Sequence, residues 1–123
     1  MEEAVTGGKG RVLVTGASGF IGSHTIAPML SRGYEVHAVY SKRCGTTPGV
    51  HWIKADLLDS MAVAATLEAV RPDRLLHLAW YVEPGKMIED PSNLLWVQQS
   101  LELLRRFREI GGQRCVIVKN AGR

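Results

Sequence analysis

Short apolar runs alternate with longer amphipathic segments along this chain of 123 residues. The apolar runs are rich in β-branched side chains and are bounded by glycine or polar residues, as buried strands are. They predict five strands, at residues 11–15, 35–40, 50–53, 74–78 and 114–118. Between the strands, apolar residues recur three and four positions apart, which is the spacing of helices that pack on a sheet.

Three helices are predicted between these strands. They are expected over residues 20–32 with Gly33 as C-terminal cap, from an N-cap at Asp59 to Val70, and from an N-cap at Asp90 to Gly111. In the third helix the apolar stripe is predicted to consist of Leu94, Val97, Leu101 and Leu104. Alternation of strands and helices predicts an α/β fold, a parallel sheet with helices on both faces.

Composition and charge exclude several classes of function. The hydrophobic fraction of 46% and the charged fraction of 22% are those of a soluble globular protein. The net charge of +3 comes from basic residues scattered among acidic ones, whereas a nucleic-acid binder usually has a concentrated basic face. No apolar stretch approaches the length of a membrane span. We therefore expect neither nucleic acid nor a membrane as a partner.

The chain is expected to form one domain over residues 11–123, after a disordered, glycine-rich tail over residues 1–10. The tail lacks the basic start and apolar core of a signal peptide. Cys44 and Cys115 have no metal-ligand spacing, so they are expected to be free and reduced. The expected compartment is the cytoplasm.

Three glycines stand between the first strand and the first helix, in the sequence Thr-Gly-Ala-Ser-Gly-Phe-Ile-Gly over residues 15–22. Gly16 allows a tight turn, Gly19 lets backbone N–H groups approach a pyrophosphate, and Gly22 lets the helix pack closely on the sheet. The helix N-terminus adds a positive dipole end. A glycine turn without a ligand is the alternative. The cofactor-binding residues predicted here are Gly16, Ser18, Gly19, Phe20, Ile21 and Gly22.

This stretch resembles the opening of the extended short-chain dehydrogenases/reductases, the NAD(P)-dependent epimerase/dehydratase family that acts on nucleotide sugars. Residues 56–57 (Asp-Leu) are similar to the family's Asp-Leu after the third strand, and residues 77–80 (His-Leu-Ala-Trp) to its His-x-Ala-Ala motif. The resemblance covers residues 11 to about 118 and implies an incomplete Rossmann-type doubly wound parallel sheet of about five strands. It further implies cofactor contacts from Asp56, at the adenine ring, and from Leu57, Leu78, Ala79 and Trp80.

The family's catalytic Tyr-x-x-x-Lys motif does not occur in these 123 residues. Tyr34, Tyr40 and Tyr81 each lack a lysine four positions on, and the sequence ends shortly after the fifth strand. No catalytic residue and no metal ligand is therefore predicted. The chain is expected to be a truncated, dinucleotide-binding part that is inactive alone.

The residues after the second strand bear on the choice of nucleotide. NAD-specific folds place an acid there for the ribose 2′-hydroxyl, but this chain reads Tyr-Ser-Lys-Arg over residues 40–43. Lys42 and Arg43 offer charge-assisted hydrogen bonds to a 2′-phosphate. The predicted cofactor is therefore NADP, with NAD as the alternative.

By resemblance, the intact protein is expected to be a nucleotide-sugar epimerase, dehydratase or reductase, an oxidoreductase of deoxysugar or surface-polysaccharide synthesis. Its partners would be the dinucleotide and a nucleotide sugar, and association into a homo-oligomer is left open. Two alternatives are a non-catalytic NADP-binding or redox-sensing module and a non-functional gene fragment.

Overall fold

The computed structural model describes residues 10–16, 20–40, 44–78 and 91–117. Its strands are β1 (Gly10–Thr15), β2 (Tyr34–Tyr40), β3 (His51–Lys54), β4 (Arg74–His77) and β5 (Arg114–Ile117). Its helices are α1 (Phe20–Ser31), α2 (Ser60–Val70) and α3 (Pro91–Glu109). Every strand and helix predicted from the hydrophobic pattern is present, in the predicted order.

β1 lies at the centre of a five-stranded sheet whose strand order is β3-β2-β1-β4-β5, and all neighbouring strands are parallel. Val12 of β1 faces Val36 of β2 on one side and Arg74 of β4 on the other. The chain builds outward from β1 to β3 and then crosses back to β4. The resulting reversal of strand order between β1 and β4 is where doubly wound sheets bind ligands, and it confirms the predicted Rossmann-type fold.

Alternate residues of β1 supply the apolar cores on the two faces of the sheet. Val12 and Val14 pack with Ile26 of α1 on one face. Leu13 packs on the other face in a cluster that includes Leu67 of α2 and extends to α3. Leu13 is 1% exposed, and burying one such side chain contributes about 1.5–3 kcal/mol. Helices therefore cover both faces, as the alternating pattern predicts.

The predicted helix caps at Asp59 and Gly33 are confirmed. The Asp59 carboxylate accepts hydrogen bonds from the backbone N–H groups of Met61 at 3.0 Å and Ala62 at 3.4 Å, which satisfies two amides of the first turn of α2. At the other end of α2, Arg71 takes a left-handed conformation with φ of 50°. Gly33 does the same after α1, with φ of 92°.

Some element bounds differ from the predicted ones by one residue. β3 covers His51–Lys54 rather than 50–53, because Lys54 pairs with Tyr40 of β2 although its side chain is exposed. α1 ends at Ser31, one residue early. Backbone hydrogen bonding, within the helix or to the neighbouring strand, sets where these elements end. The sequence pattern reports only the apolar side chains.

The face that α3 turns to the sheet differs from the predicted stripe. Leu101, predicted to be buried, is 58% exposed, whereas Leu103 is 2% exposed. Ser100 and Phe107 are buried beside Leu103. Ser100 occupies this face because its hydroxyl lies 2.9 Å from a ring nitrogen of the buried His77.

Several predictions fall outside the described residues. They are the tail at residues 1–9, the N-cap at Asp90, the side chain of Leu94 and the end of β5 at Val118. Among the helices that are described, none is both long and apolar enough to span a membrane.

Candidate functional site

The turn after β1 has the geometry that its glycine predicts. Val14 and Thr15 are completely buried at the end of β1, and Gly16 follows with φ of 70°. This left-handed region costs an L-residue with a side chain about 1–2 kcal/mol. α1 begins four residues later, at Phe20. The first glycine of the motif is therefore placed where only glycine turns the chain without strain.

The structure describes the rest of the glycine motif only in part. Residues 17–19, which include Ser18 and Gly19, lie outside the described residues. Phe20, Ile21 and Gly22 are described as the helical backbone of the first turn of α1.

The N-terminus of α1 faces the edge of the sheet at which the parallel strands end. The first amides of a helix have no partner within the helix, and the aligned peptide dipoles place partial positive charge there. The first turn of α1 carries no acidic residue that would compensate this charge. The chemistry of this edge therefore suits an anion such as a pyrophosphate.

Leu78 lies beside the glycine turn, on the neighbouring strand. Its backbone N–H donates to the Thr15 carbonyl at 3.1 Å and lies 3.0 Å from the Thr15 hydroxyl oxygen. These contacts extend the pairing of β1 with β4 past His77, the last residue of β4. Gly16 and Leu78, two predicted site residues from separate motifs, thereby belong to adjacent strand ends.

A buried imidazole joins this edge to the helix behind it. His77 is 1% exposed, with Nδ1 2.6 Å from the Thr15 hydroxyl oxygen and Nε2 2.9 Å from the Ser100 hydroxyl oxygen. The Thr15–His77–Ser100 network thus connects β1, β4 and α3 directly beneath the candidate site.

Burial lowers the pKa of His77 to about 4, so the ring is neutral at physiological pH. A neutral imidazole has one donor and one acceptor nitrogen, and a hydroxyl both donates and accepts. The arrangement in which Thr15 donates to Nδ1 and Nε2–H donates to Ser100 gives both ring nitrogens a partner. The network therefore fixes backbone positions without placing a charge in the core.

Asp56 and Leu57 follow β3 and differ in exposure. Ala55 N–H donates to the Tyr40 carbonyl at 2.9 Å, which continues the pairing of β2 with β3. Asp56 is exposed, and one carboxylate oxygen accepts a hydrogen bond from Leu58 N–H at 2.9 Å. Leu57 is buried in the core cluster, so a cofactor contact from Leu57 would come from its main chain.

The site is thus assembled only partly by the described residues. Gly16 and Leu78 are brought together, whereas Asp56 lies at the end of a strand two positions away in the sheet. Four further predicted site residues lie outside the described residues, namely Lys42, Arg43, Ala79 and Trp80.

Sequence reasoning assigned no role to the network of Thr15, His77 and Ser100. The available signal was a polar residue at the end of each of two apolar strands, Thr15 in β1 and His77 in β4. Side chains that end neighbouring parallel strands lie close together, so a contact between these two could have been inferred. Ser100 carries no comparable signal.

Comparisons with known proteins agree with this geometry. The model of the NAD dependent epimerase/dehydratase family matches residues 12–119. UDP-glucose 4-epimerase of Rhizobium meliloti (strain 1021) is 31% identical over 84 residues, which are 66% of this chain and 26% of that protein. A protein of Mycosarcoma maydis named fatty acid hydroxylase uhd1 is 52% identical over 76 residues, 56% of this chain and 25% of that protein.

Among solved structures, UDP-glucose 4-epimerase of Thermus thermophilus in complex with NAD has a TM-score of 0.72 and 33% identity. The match covers 85% of this chain and 36% of that one. The chain thus spans about a quarter to a third of the length of these relatives. Because the family match extends from β1 past β5 and so takes in nearly the whole chain, the protein belongs to the NAD dependent epimerase/dehydratase family.

Proposed function

We propose that this chain is the dinucleotide-binding part of a nucleotide-sugar epimerase, dehydratase or reductase. The pyrophosphate would bind at the turn from Gly16 to Gly22. The observation that carries the proposal is the left-handed Gly16 between a fully buried strand end and the N-terminus of α1. The names of the relatives from Rhizobium meliloti and Thermus thermophilus support the substrate class.

In this proposal the residues of the chain bind and orient the cofactor. Backbone N–H groups at the start of α1 hold the pyrophosphate, and the main chain at Leu78 runs alongside the cofactor. The Thr15–His77–Ser100 network keeps β1 and β4 in register below both. When bound, the dinucleotide supplies hydride chemistry. A tyrosine base with its lysine would come from outside these 123 residues.

Gly16→Ala tests the pyrophosphate site, with Gly111→Ala as matched control. Gly16 has φ of 70° and Gly111 φ of 92°, so both variants carry backbone strain. A Cβ at Gly111 meets no atom within 4 Å. If the free turn of Gly16→Ala relaxes to relieve strain of about 1–2 kcal/mol, binding must restore the left-handed conformation, which corresponds to roughly a tenfold loss of affinity. We expect calorimetric titration with NADH or NADPH to show this loss for Gly16→Ala only. Equal affinities of the two variants would contradict the site.

We further propose that NADP(H) is preferred over NAD(H), because no acid follows Tyr40 and because Lys42 and Arg43 suit a 2′-phosphate. The NAD in the Thermus thermophilus relative is the opposing observation. The ratio of the dissociation constants of NADP(H) and NAD(H), measured at the same salt concentration, decides which cofactor is preferred. The double variant Lys42→Ala/Arg43→Ala should lose the preference, whereas Arg71→Ala, at an exposed position after α2, should keep it. A double variant with an unchanged ratio would overturn the assignment.

The adenine end of the cofactor is proposed to lie at Asp56. Its carboxylate is exposed, and the hydrogen bond from Leu58 N–H engages one of its two oxygens. Asp56→Asn should weaken binding of ADP-ribose, and Glu68→Gln, an exposed acid on α2, should not. If both variants bind ADP-ribose as tightly as the unchanged chain, the adenine does not lie there.

One other function has specific support. The 52% identity with the protein named fatty acid hydroxylase uhd1 favours a substrate other than a nucleotide sugar, which turnover by the whole protein on both substrate classes would decide. The exposed, unbridged Cys44 and Cys115 are consistent with the cytoplasm as the proposed compartment.

A further inference from the structure

Three ionisable side chains meet at the amino end of the sheet, opposite to the dinucleotide site. Glu35 and His37 are two positions apart on β2, so they project from the same face. His51 of β3 stands directly opposite His37 in the strand pairing. One potential ligand atom from each of the three side chains lies within 4.8 Å of the other two. We refer to Glu35, His37 and His51 as the amino-end cluster.

The cluster is compact and open to solvent. The Nε2 atom of His37 lies 2.6 Å from a carboxylate oxygen of Glu35. The rings of His37 and His51 are stacked, with centroids 4.6 Å apart and planes inclined by 18°. Glu35 and His51 are exposed, and the side chain of His37 is mostly buried but still reaches solvent. β3 is the outer strand of the described sheet, so a cation can approach His51 from its open side.

The carboxylate is charged and held in place. Arg11 Nε lies 2.9 Å from the same oxygen of Glu35, and the Arg11 guanidinium is anchored by a hydrogen bond to the Val70 carbonyl at 2.7 Å. Arg11 therefore holds the carboxylate in place and also competes with a cation for one of its oxygens.

We propose that the amino-end cluster is a Zn²⁺ site, with Glu35, His37 and His51 as its ligands and water in the fourth position. Two imidazoles and one carboxylate are a ligand set that zinc takes with an open coordination position. Zinc binds such atoms at about 2.0–2.2 Å, which puts tetrahedral ligands roughly 3.4 Å apart. The three ligand atoms already lie within 4.8 Å of one another, and the two stacked imidazole rings must turn so that their in-plane lone pairs converge on the ion.

The bound ion takes the place of the proton between His37 Nε2 and Glu35. It also ties the edge strand β3 to β2, since His51 belongs to one strand and the other two ligands to its neighbour. Ligand binding to the folded state alone raises stability. The site is therefore expected to stabilise the edge of the sheet that lies farthest from β5.

Titration of the full chain with Zn²⁺ alone tests the proposal, and Co²⁺ absorption in the visible range reports tetrahedral coordination. The chain has four histidines, which provides a matched control. His37→Ala and His51→Ala should each weaken Zn²⁺ binding by at least the tenfold to hundredfold that loss of an outer-shell partner costs. His24→Ala, at an exposed position on α1, should bind one equivalent like the unchanged chain.

Two further measurements distinguish this site from zinc binding at the thiols or elsewhere on the chain. Cys44→Ser/Cys115→Ser should retain one equivalent of Zn²⁺, whereas loss of binding in it would assign the metal to the thiols and overturn the proposal. Zinc should raise the melting temperature of the unchanged chain and of His24→Ala, but not of His51→Ala. Because His51 is exposed, this variant should keep its fold, which circular dichroism checks. Absence of zinc binding, or equal binding by all three histidine variants, would also overturn it.

Discussion

The two ends of the sheet use histidine in opposite ways. At the carboxyl end, His77 is 1% exposed and its partners are two hydroxyl groups. At the amino end, the side chain of His37 is 15% exposed and its partner is the carboxylate of Glu35. The carboxyl end therefore holds a neutral ring that fixes backbone positions. The amino end keeps charged groups within reach of solvent.

This contrast shows that the partners of a side chain decide its role more than its type does. A buried group must be neutral and fully hydrogen-bonded, because an unpaired polar atom in the core is costly. His77 meets this condition through Thr15 and Ser100. His37 and His51 are not subject to this condition, because both side chains reach solvent. A cation can therefore reach their ring nitrogens.

The largest expected effect is that of His77→Ala. The substitution leaves a cavity and takes a hydrogen-bonding ring away from Thr15 and Ser100, and each unsatisfied buried polar group costs about 1–3 kcal/mol. We expect the free energy of unfolding in urea to fall by roughly 2–5 kcal/mol. His37→Ala, made at a position that still reaches solvent, should lower the free energy of unfolding much less. Similar losses for the two variants would remove the distinction between the two ends of the sheet.

The next effect is a dependence of stability on pH that comes from the buried ring of His77. Its pKa is about 4 when folded and has an ordinary value of 6.5, so between these values the unfolded chain binds the extra proton. Stability is therefore complete above pH 6.5 and is lost as the pH falls toward 4, by about 2 kcal/mol between pH 7 and pH 5. Urea unfolding at the two pH values measures it.

The control for this titration is His77→Gln, whose amide still donates and accepts but does not titrate in this range. Its stability should fall less than that of the unchanged chain between the same two pH values. If both chains lose the same free energy, the proton is taken up elsewhere.

Thr15→Val sharpens the comparison within the carboxyl end. The shape of the side chain is kept while the hydroxyl between His77 and Leu78 is lost. Loss of one buried partner should cost about 1–3 kcal/mol in unfolding free energy. Leu78 N–H can still donate to the backbone carbonyl of residue 15, so the pairing of the two strands survives. Dinucleotide affinity should therefore fall only slightly. An affinity loss as large as that of Gly16→Ala would show that the hydroxyl itself contacts the cofactor.

The smallest effect belongs to Glu35→Gln at the amino end. Its ion pair with Arg11 is partly exposed on both sides, and such pairs contribute about 0–1 kcal/mol. Unfolding in the presence of a chelator should therefore change little, whereas Zn²⁺ should stabilise the variant less than it stabilises the unchanged chain. A large loss of stability without metal would show that the ion pair is structural.

The order of strands and helices could be predicted because each element carries its own signal. The apolar run of β1, the glycine after it and the cap at Asp59 are all local in sequence. The burial of Ser100 in place of Leu101 could not be predicted, since it depends on His77, 23 positions away. The amino-end cluster likewise depends on the register that puts His51 opposite His37, and no periodicity within one strand specifies it.

The central place of β1 also bears on the order in which the protein folds. Val12 meets Val36 across a separation of 24 positions, but Thr15 meets His77 only across 62. Closing the longer loop costs about 0.8 kcal/mol more in chain entropy, and non-local parallel pairing is slow. We therefore expect the β1–α1–β2 unit to assemble early and the imidazole contact to form late. A chain leaving the ribosome would then form its glycine turn well before β4 and its His77 contact are in place beside that turn. Binding of the dinucleotide would therefore be among the last events of folding.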